Sequence, residues 1–247
     1  MGVNGSVGQG KTFFSEAIAS RLNALLHPEE GQAITRSLDD YYLTKAERSH
    51  PEFLARGYCP QGISNRGPAG THDTRRLKRD INALENSSLG SQTRMPVFDK
   101  SIDDRSPVPY VAEGKIGIFI FEGWFVGAYT KVDVSKTKVG LQRSVAIALG
   151  EYAELFQRLD MLIAFEPWKG LSQINAQRLE QEETLRKQTG KAGMGPDQIR
   201  RLVHYFYRES WQDGVSSPFP LREAANFWLK TTLHHRFVSV QPPLPSF

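Results

Sequence analysis

One cysteine, Cys59, stands in a chain of 247 residues. A lone thiol cannot close an internal disulfide or build a cysteine-based metal cluster, which suits a reducing compartment. Long apolar runs are also missing: none approaches the roughly 20 residues of a spanning helix, and no signal-peptide pattern is found. These absences lead to the expectation of a cytoplasmic protein with no membrane partner, in which the acceptor sequon Asn86-Ser87-Ser88 carries no meaning. Internal repeats and low-complexity segments are lacking as well. Charge of one sign is barely in excess, at +4 with 31 Lys+Arg against 27 Asp+Glu. A solvated basic surface accounts for that; anionic substrates are compatible with it, and nucleic acid is not required. What remains, 39% hydrophobic and 23% charged, is an ordinary globular composition, read as one domain over residues 1–247 with a lid.

The most specific pattern comes first. Gly5-Ser6-Val7-Gly8-Gln9-Gly10-Lys11-Thr12 is a complete G-x-x-x-x-G-K-[ST] phosphate loop. Its glycines permit tight turns whose N–H groups converge on phosphate oxygens, Lys11 can reach the β- and γ-phosphates, and the Thr12 hydroxyl can sit on Mg²⁺. The helical pattern from Phe13 to Leu22 would set a positive helix end under the phosphates. A nucleoside triphosphate, ATP, is therefore the expected ligand. Only Met1 to Asn4 precede the loop, whereas a typical strand has about 5–6 residues. The first strand is thus read as truncated, with either further residues upstream or a weakly anchored loop. Met1-Gly2 with Ser6 also fits a myristoylation pattern, a far weaker signal than the loop it overlaps.

Strand and helix patterns alternate along the rest of the chain, which predicts a parallel sheet with helices on both faces. Strands are expected at Gln32–Leu38, Thr93–Phe98 (reaching Asp99), Ile116–Phe121 and Met161–Phe165. Helices are expected at Asp73–Leu84, Val145–Gln157, Ser172–Gln188 and Pro196–Trp211, with a short helix or strand around Phe227. Glycines and prolines crowd the stretch from Ser49 to Thr71, a loop long enough to be functional or disordered.

Ligands of open α/β sheets bind beyond the carboxyl ends of the strands, where Asp39-Asp40, Asp99 and Glu122 are expected to fall. Phosphoryl transfer needs a metal held by carboxylates and hydroxyls, an oriented acceptor hydroxyl and cations around the moving group. Glu122 is placed to hold Mg²⁺ with Thr12, and Asp39 to accept a hydrogen bond from a substrate hydroxyl; a capping aspartate is the plainer reading of Asp39. Arg178 and Arg186 share a helix face, as a closing lid over residues 170–192 requires, or else belong to a solvated charged helix with Glu180, Glu182 and Glu183. Lys100 and Arg105 flank Asp103-Asp104 and could clamp an anionic substrate or form surface pairs. His72 beside Asp73 is either a base–orienter pair or the neighbour of a helix cap. His234-His235 has no partner cluster and reads as surface.

With these residues in hand, the chain resembles the plant-type D-glycerate 3-kinase family, within the phosphoribulokinase/uridine kinase group of P-loop kinases. The resemblance rests on the phosphate loop, Ser37-Leu38-Asp39-Asp40-Tyr41-Tyr42-Leu43-Thr44, Arg66-Gly67-Pro68-Ala69-Gly70-Thr71-His72-Asp73, Pro96-Val97-Phe98-Asp99-Lys100-Ser101, Phe121-Glu122-Gly123-Trp124 and Gly193-Met194. It implies a three-layer α/β P-loop kinase fold with a central parallel sheet and a helical lid. It further implies ATP and Mg²⁺, and a small hydroxy acid as phosphoryl acceptor. Asp39 resembles the catalytic base of related kinases; Asp73 and the Phe98-Asp99-Lys100 block resemble substrate-side positions, in the company of Asp40, Tyr42, Arg66, His72 and Arg105. Lys11, Arg178 and Arg186 resemble the cations that neutralise the transferring phosphoryl group. Two other readings keep the loop: a uridine- or pantothenate-kinase-like enzyme whose acceptor stacks on Tyr41, Tyr42 or Phe98, and a nucleotide-binding regulator without an acceptor pocket.

Overall fold

The computed structural model describes residues 1–58, 66–130, 140–190, 194–209 and 216–241. In chain order the elements are β1 (Gly2–Asn4), α1 (Lys11–Asn23), β2 (Gln32–Ser37), α2 (Lys45–Arg48), α3 (Pro51–Leu54), α4 (Thr74–Glu85), β3 (Gln92–Met95), β4 (Phe98–Asp99), β5 (Asp104–Arg105), β6 (Tyr110–Glu113), β7 (Ile116–Gly123), β8 (Tyr129–Thr130), α5 (Leu141–Gln157), β9 (Leu162–Pro167), α6 (Gly170–Thr189), α7 (Pro196–His204), β10 (Ser216–Ser217), β11 (Phe227–Thr231) and β12 (Phe237–Gln241). The main sheet has six strands in the order β12-β11-β9-β1-β7-β2. All neighbours pair in parallel except β11 with β12, which form an antiparallel edge.

Alternation along the strands divides the core between the two faces. Ile120, Ile163, Phe165 and Leu229 join Val3 and the apolar side of α1 on one face. Phe121, Leu162 and Ala164 point the other way, toward Leu77, Leu149, Tyr152 and Leu155 of α4 and α5. Two separate apolar layers around one sheet give the three-layer α/β arrangement. Short as it is, β1 is paired on both sides, with Gly2 opposite Phe121 and Leu162. The Met1 carbonyl also accepts the Phe121 N–H at 2.8 Å. The phosphate loop therefore leaves the middle of the sheet, and the weak anchoring that the short strand suggested is not seen.

Two expectations need correction. The segment from Thr93 to Asp99 does not enter the parallel sheet. Its first part pairs antiparallel with β6 and its second with β5, in two separate ribbons. A period-two pattern marks a strand but carries no information about its partner. The loop-rich stretch is also interrupted by the short helices α2 and α3, each begun by a local device: the Thr44 hydroxyl accepts the Glu47 N–H at 3.2 Å, and Pro51 sits at an N-terminal position. The helix expected over Pro196–Trp211 continues past His204 as a wider turn, Tyr205–Glu209. Cys59, Gly193, Trp211 and positions 191–192 of the expected lid lie outside the described residues.

Candidate active site

A cleft of about 1290 Å³ opens at the carboxyl end of the parallel strands. Its floor is the phosphate loop. Gly8 (φ +82°) and Gly10 (φ +81°) hold left-handed backbone, a conformation that costs an ordinary L-residue roughly 1–2 kcal/mol. Gly10 caps α1, so the free N–H groups of the helix face the cleft. The Lys11 ammonium donates to the Ser6 carbonyl at 3.0 Å. Burial draws its pKa below the usual lysine range, and the nearby Glu122 and Asp39 carboxylates oppose that shift. The loop is braced from a distance: Gln9 Nε2 donates to Thr231 Oγ1 at 3.0 Å, and the Val7 N–H donates to the Tyr207 hydroxyl at 3.1 Å.

Beside it the Thr12 hydroxyl donates to Glu122 Oε1 at 2.8 Å, joining the first turn of α1 to the last residues of β7. Glu122 is buried, where a carboxylate needs compensating partners; the Thr12 hydroxyl and the nearby Lys11 ammonium supply them. A hydroxyl and one carboxylate are hard oxygen donors, and Mg²⁺ is commonly held by one or two carboxylates together with substrate phosphates and water. Among the described residues there is no cluster of three His, Cys, Asp or Glu side chains that could hold a metal without them. The donor set fits Mg²⁺ shared with a bound triphosphate.

Across the cleft lies a second, charged group. Ser37 starts the turn after β2, its hydroxyl accepting the Asp39 N–H at 3.2 Å; this local cap sets Asp39 at the rim. There Lys100 Nζ meets Asp39 Oδ2 at 2.7 Å. Burial alone would raise the Asp39 pKa, but the Lys100 charge and hydrogen bond outweigh it and hold the carboxyl well below its ordinary range. Lys100 is raised in turn, chiefly by Asp39. Behind them Tyr42 stacks on His72 at 4.4 Å between ring centroids. Its hydroxyl is held well above the usual tyrosine range by burial and by the Asp39 charge. His72 is pushed down to about 3 by burial, against the pull of Asp39, so it stands neutral, with Nδ1 at 2.9 Å from the Tyr152 hydroxyl. Arg66 pairs with Asp103 and lays its guanidinium 5.1 Å from the centre of the Phe98 ring.

Lys11, Thr12, Asp39, Lys100, Glu122 and Arg178 thus share one cleft, together with Tyr42, Arg66 and Phe98. Other expected site residues are taken up by the scaffold. Asp40 lines the cleft as well, but its oxygens are engaged: it pairs with Arg36 at 2.7 Å and accepts the Phe98 N–H at 3.2 Å. Asp73 caps α4, accepting the Arg76 N–H at 2.9 Å, and its second oxygen holds Arg105 at 3.1 Å. That answers the His72-Asp73 question in favour of the cap. Arg105 also donates to the Tyr42 carbonyl at 3.0 Å. Asp99 is not at the end of a main-sheet strand; it accepts from the Ser101 N–H and hydroxyl at 2.8 and 2.7 Å. On α6, Arg178 bonds Glu182 and Gln181. Arg186 is exposed and is not among the residues that line the cleft.

Gln177, Arg201 and His235 are among the cleft residues that the sequence reading did not assign to the site. Gln177 backs directly onto Gly8, Arg201 reaches in from α7, and His235, exposed as a surface reading expects, also lines the cleft. None belongs to a local motif, and His235 arrives from the turn between β11 and β12.

No family model matches the chain. It is 28% identical over 224 residues to the uncharacterized kinase mug58 of Schizosaccharomyces pombe, covering 83% of this chain and 77% of that protein. It is 27% identical over 216 residues to the chloroplastic D-glycerate 3-kinase of Arabidopsis thaliana. That alignment takes in 82% of this chain and spans 45% of the plant protein's length. Among solved structures, a D-glycerate 3-kinase from Cryptococcus neoformans superposes with a TM-score of 0.69 at 23% identity, over 98% of this chain and 88% of the other, a likeness of fold.

Proposed function

We propose that this chain, an ATP-dependent phosphotransferase of the glycerate 3-kinase group of P-loop kinases, moves the γ-phosphoryl group of ATP to a hydroxyl of D-glycerate. The observation that carries the reading is the Asp39–Lys100 pair, set across one cleft from the phosphate loop. Asp39, ionised throughout the physiological range, accepts a hydrogen bond from the acceptor hydroxyl and aligns its oxygen. So acidic a carboxyl is a weak base, and it takes the proton only as the new bond forms. That suits a largely dissociative transition state, in which positioning and electrostatics do most of the work. Lys11 and, from the lid helix α6, Arg178 neutralise the charge that spreads over the transferring oxygens. Thr12 and Glu122 would hold Mg²⁺, which would supply positive charge to offset that of the phosphates. Lys100 and Arg66 supply the cations that a carboxylate-bearing acceptor needs.

The three rings that the nucleoside reading relied on do not favour it: Tyr41, Tyr42 and Phe98 are buried, Tyr42 stacks on His72, and Arg66 lies over Phe98. The test is ADP release from Mg·ATP with D-glycerate, L-glycerate, uridine, pantothenate or no acceptor, with Asp39→Asn in parallel. Turnover that requires D-glycerate and falls at least a hundredfold in the variant is expected, the lower end of what a positioned proton acceptor contributes, roughly 10²–10⁴. Turnover with a different acceptor replaces the substrate; ADP release that no acceptor accelerates overturns the reading.

A further inference from the structure

His235 belongs to no motif, yet the fold brings it to the nucleotide end of the cleft. Its backbone stands at φ +57°, one of two described non-glycine residues in the left-handed region. Strain of that kind persists only where the surroundings enforce it, and it gathers at ligand sites. The turn that carries it is tied at several points. The His235 N–H donates to the Thr232 carbonyl at 3.1 Å. Gln177 Nε2 donates to the Thr232 and Leu233 carbonyls, each at 3.2 Å, and Gln177 Oε1 is buried with no hydrogen-bond partner among the described residues. The outcome is an imidazole held over Gly10: a side chain built on that glycine would meet His235 Nδ1 at 3.4 Å. The ring itself is exposed and faces the cleft.

Direction along the cleft decides what the ring meets. The acceptor end is marked by Asp39 and Lys100, and the phosphates must lie over the loop and the start of α1. In-line transfer places the rest of the nucleotide on the far side of the phosphates from the acceptor. His235 and Glu16 line the same cleft, and His235 stands against Gly10 of the phosphate loop, whereas Asp39 pairs with Lys100. From this placement we infer that His235 is the stacking surface for the purine base of the nucleotide, with Gln177 as the positioning residue that fixes its turn. An aromatic face of this kind binds a base through its π-surface, independently of hydrogen-bond pattern. The inference rests on the phosphotransferase reading above and is silent on the acceptor.

The experiment compares wild type with His235→Asn, which removes the ring but keeps a residue tolerant of left-handed backbone. Calorimetric binding is measured with two probes in Mg²⁺: a non-hydrolysable ATP analogue, and inorganic tripolyphosphate, which has phosphates and no base. Stacked bases lose on the order of 5- to 150-fold in affinity when the aromatic partner is removed, so a loss of about tenfold is expected for the analogue and less than twofold for tripolyphosphate. An equal loss for both probes makes His235 a phosphate-loop support and overturns the inference, as does no loss for either. Wild-type protein that binds neither probe overturns the phosphotransferase reading itself.

Discussion

The acidity of Asp39 can be tested by removing its partner. Lys100→Met keeps the length of the side chain and deletes its charge. With charge centres about 4 Å apart and an effective dielectric near 20, the gross attraction is about 4 kcal/mol. Lys100 is 63% exposed, so solvent and salt remove much of this, leaving about 1–2 kcal/mol, or roughly one pH unit in the titration of Asp39. The sign follows from the opposing causes: without Lys100, burial is the dominant influence left and drives the carboxyl pKa up. In the wild type the folded-state pKa lies below the unfolded one. The stabilisation it brings is fully present above the unfolded value of about 3.9 and is lost as pH falls through the folded value. Two readouts follow. The acid limb of kcat/KM for the acceptor, measured by quench and chromatography of ADP, should move upward by about one unit. Urea unfolding should show the variant less stable at pH 7, with the gap closing as the solution is acidified. An acid limb that stays in place would refute the electrostatic account of Asp39.

Glu122→Gln keeps the shape beside Thr12 and removes the charge, so kcat should fall by about a hundredfold or more, as expected for a lost electrostatic group, with half-activation moved to higher Mg²⁺ in a metal titration. Tyr152→Phe deletes the hydroxyl that accepts the Gly70 N–H at 3.1 Å and contacts His72; leaving those buried groups unpaired should cost about 1–3 kcal/mol in urea unfolding. Gly67 stands at φ +130°, and a methyl there would run into the Phe206 ring; Gly67→Ala should destabilise by about 1–3 kcal/mol or more, with impaired acceptor turnover, and an unchanged urea midpoint would contradict the packing.

Residues close together in the chain were the ones that could be read in advance. The phosphate loop works through backbone turns within eight positions, Gly5 to Thr12, so its geometry follows from spacing and glycine content alone. The β7 run announces itself because a strand buried on both faces has few polar positions to spare. The Ser37 cap at Asp39 and the Asp73 cap on α4 are likewise contacts over two or three residues. Composition and periodicity were enough for a parallel sheet covered by helices, and the short blocks after β2 and before α4 were enough for the resemblance to glycerate kinases.

Partnership over long separations was decided by the tertiary structure. Nothing local distinguishes Lys100, which pairs with Asp39, from Arg105, which the fold assigns to Asp73; both are cations in one loop, and the ribbon of β4 and β5 chooses between them. The same ribbon takes Asp99 away from the sheet ends, because alternation specifies a strand without naming its neighbour. Thr12 and Glu122 meet only because β1 and β7 lie side by side. His235 shows the limit most clearly: a histidine that reads only as surface comes to rest against Gly10 because β11 joins the sheet beside β9. Side-chain identity and short-range spacing determined which chemistry this chain can perform, and the order of strands determined which residues stand close enough to perform it, since charges and hydrogen bonds act over a few ångströms of space whatever their separation along the chain.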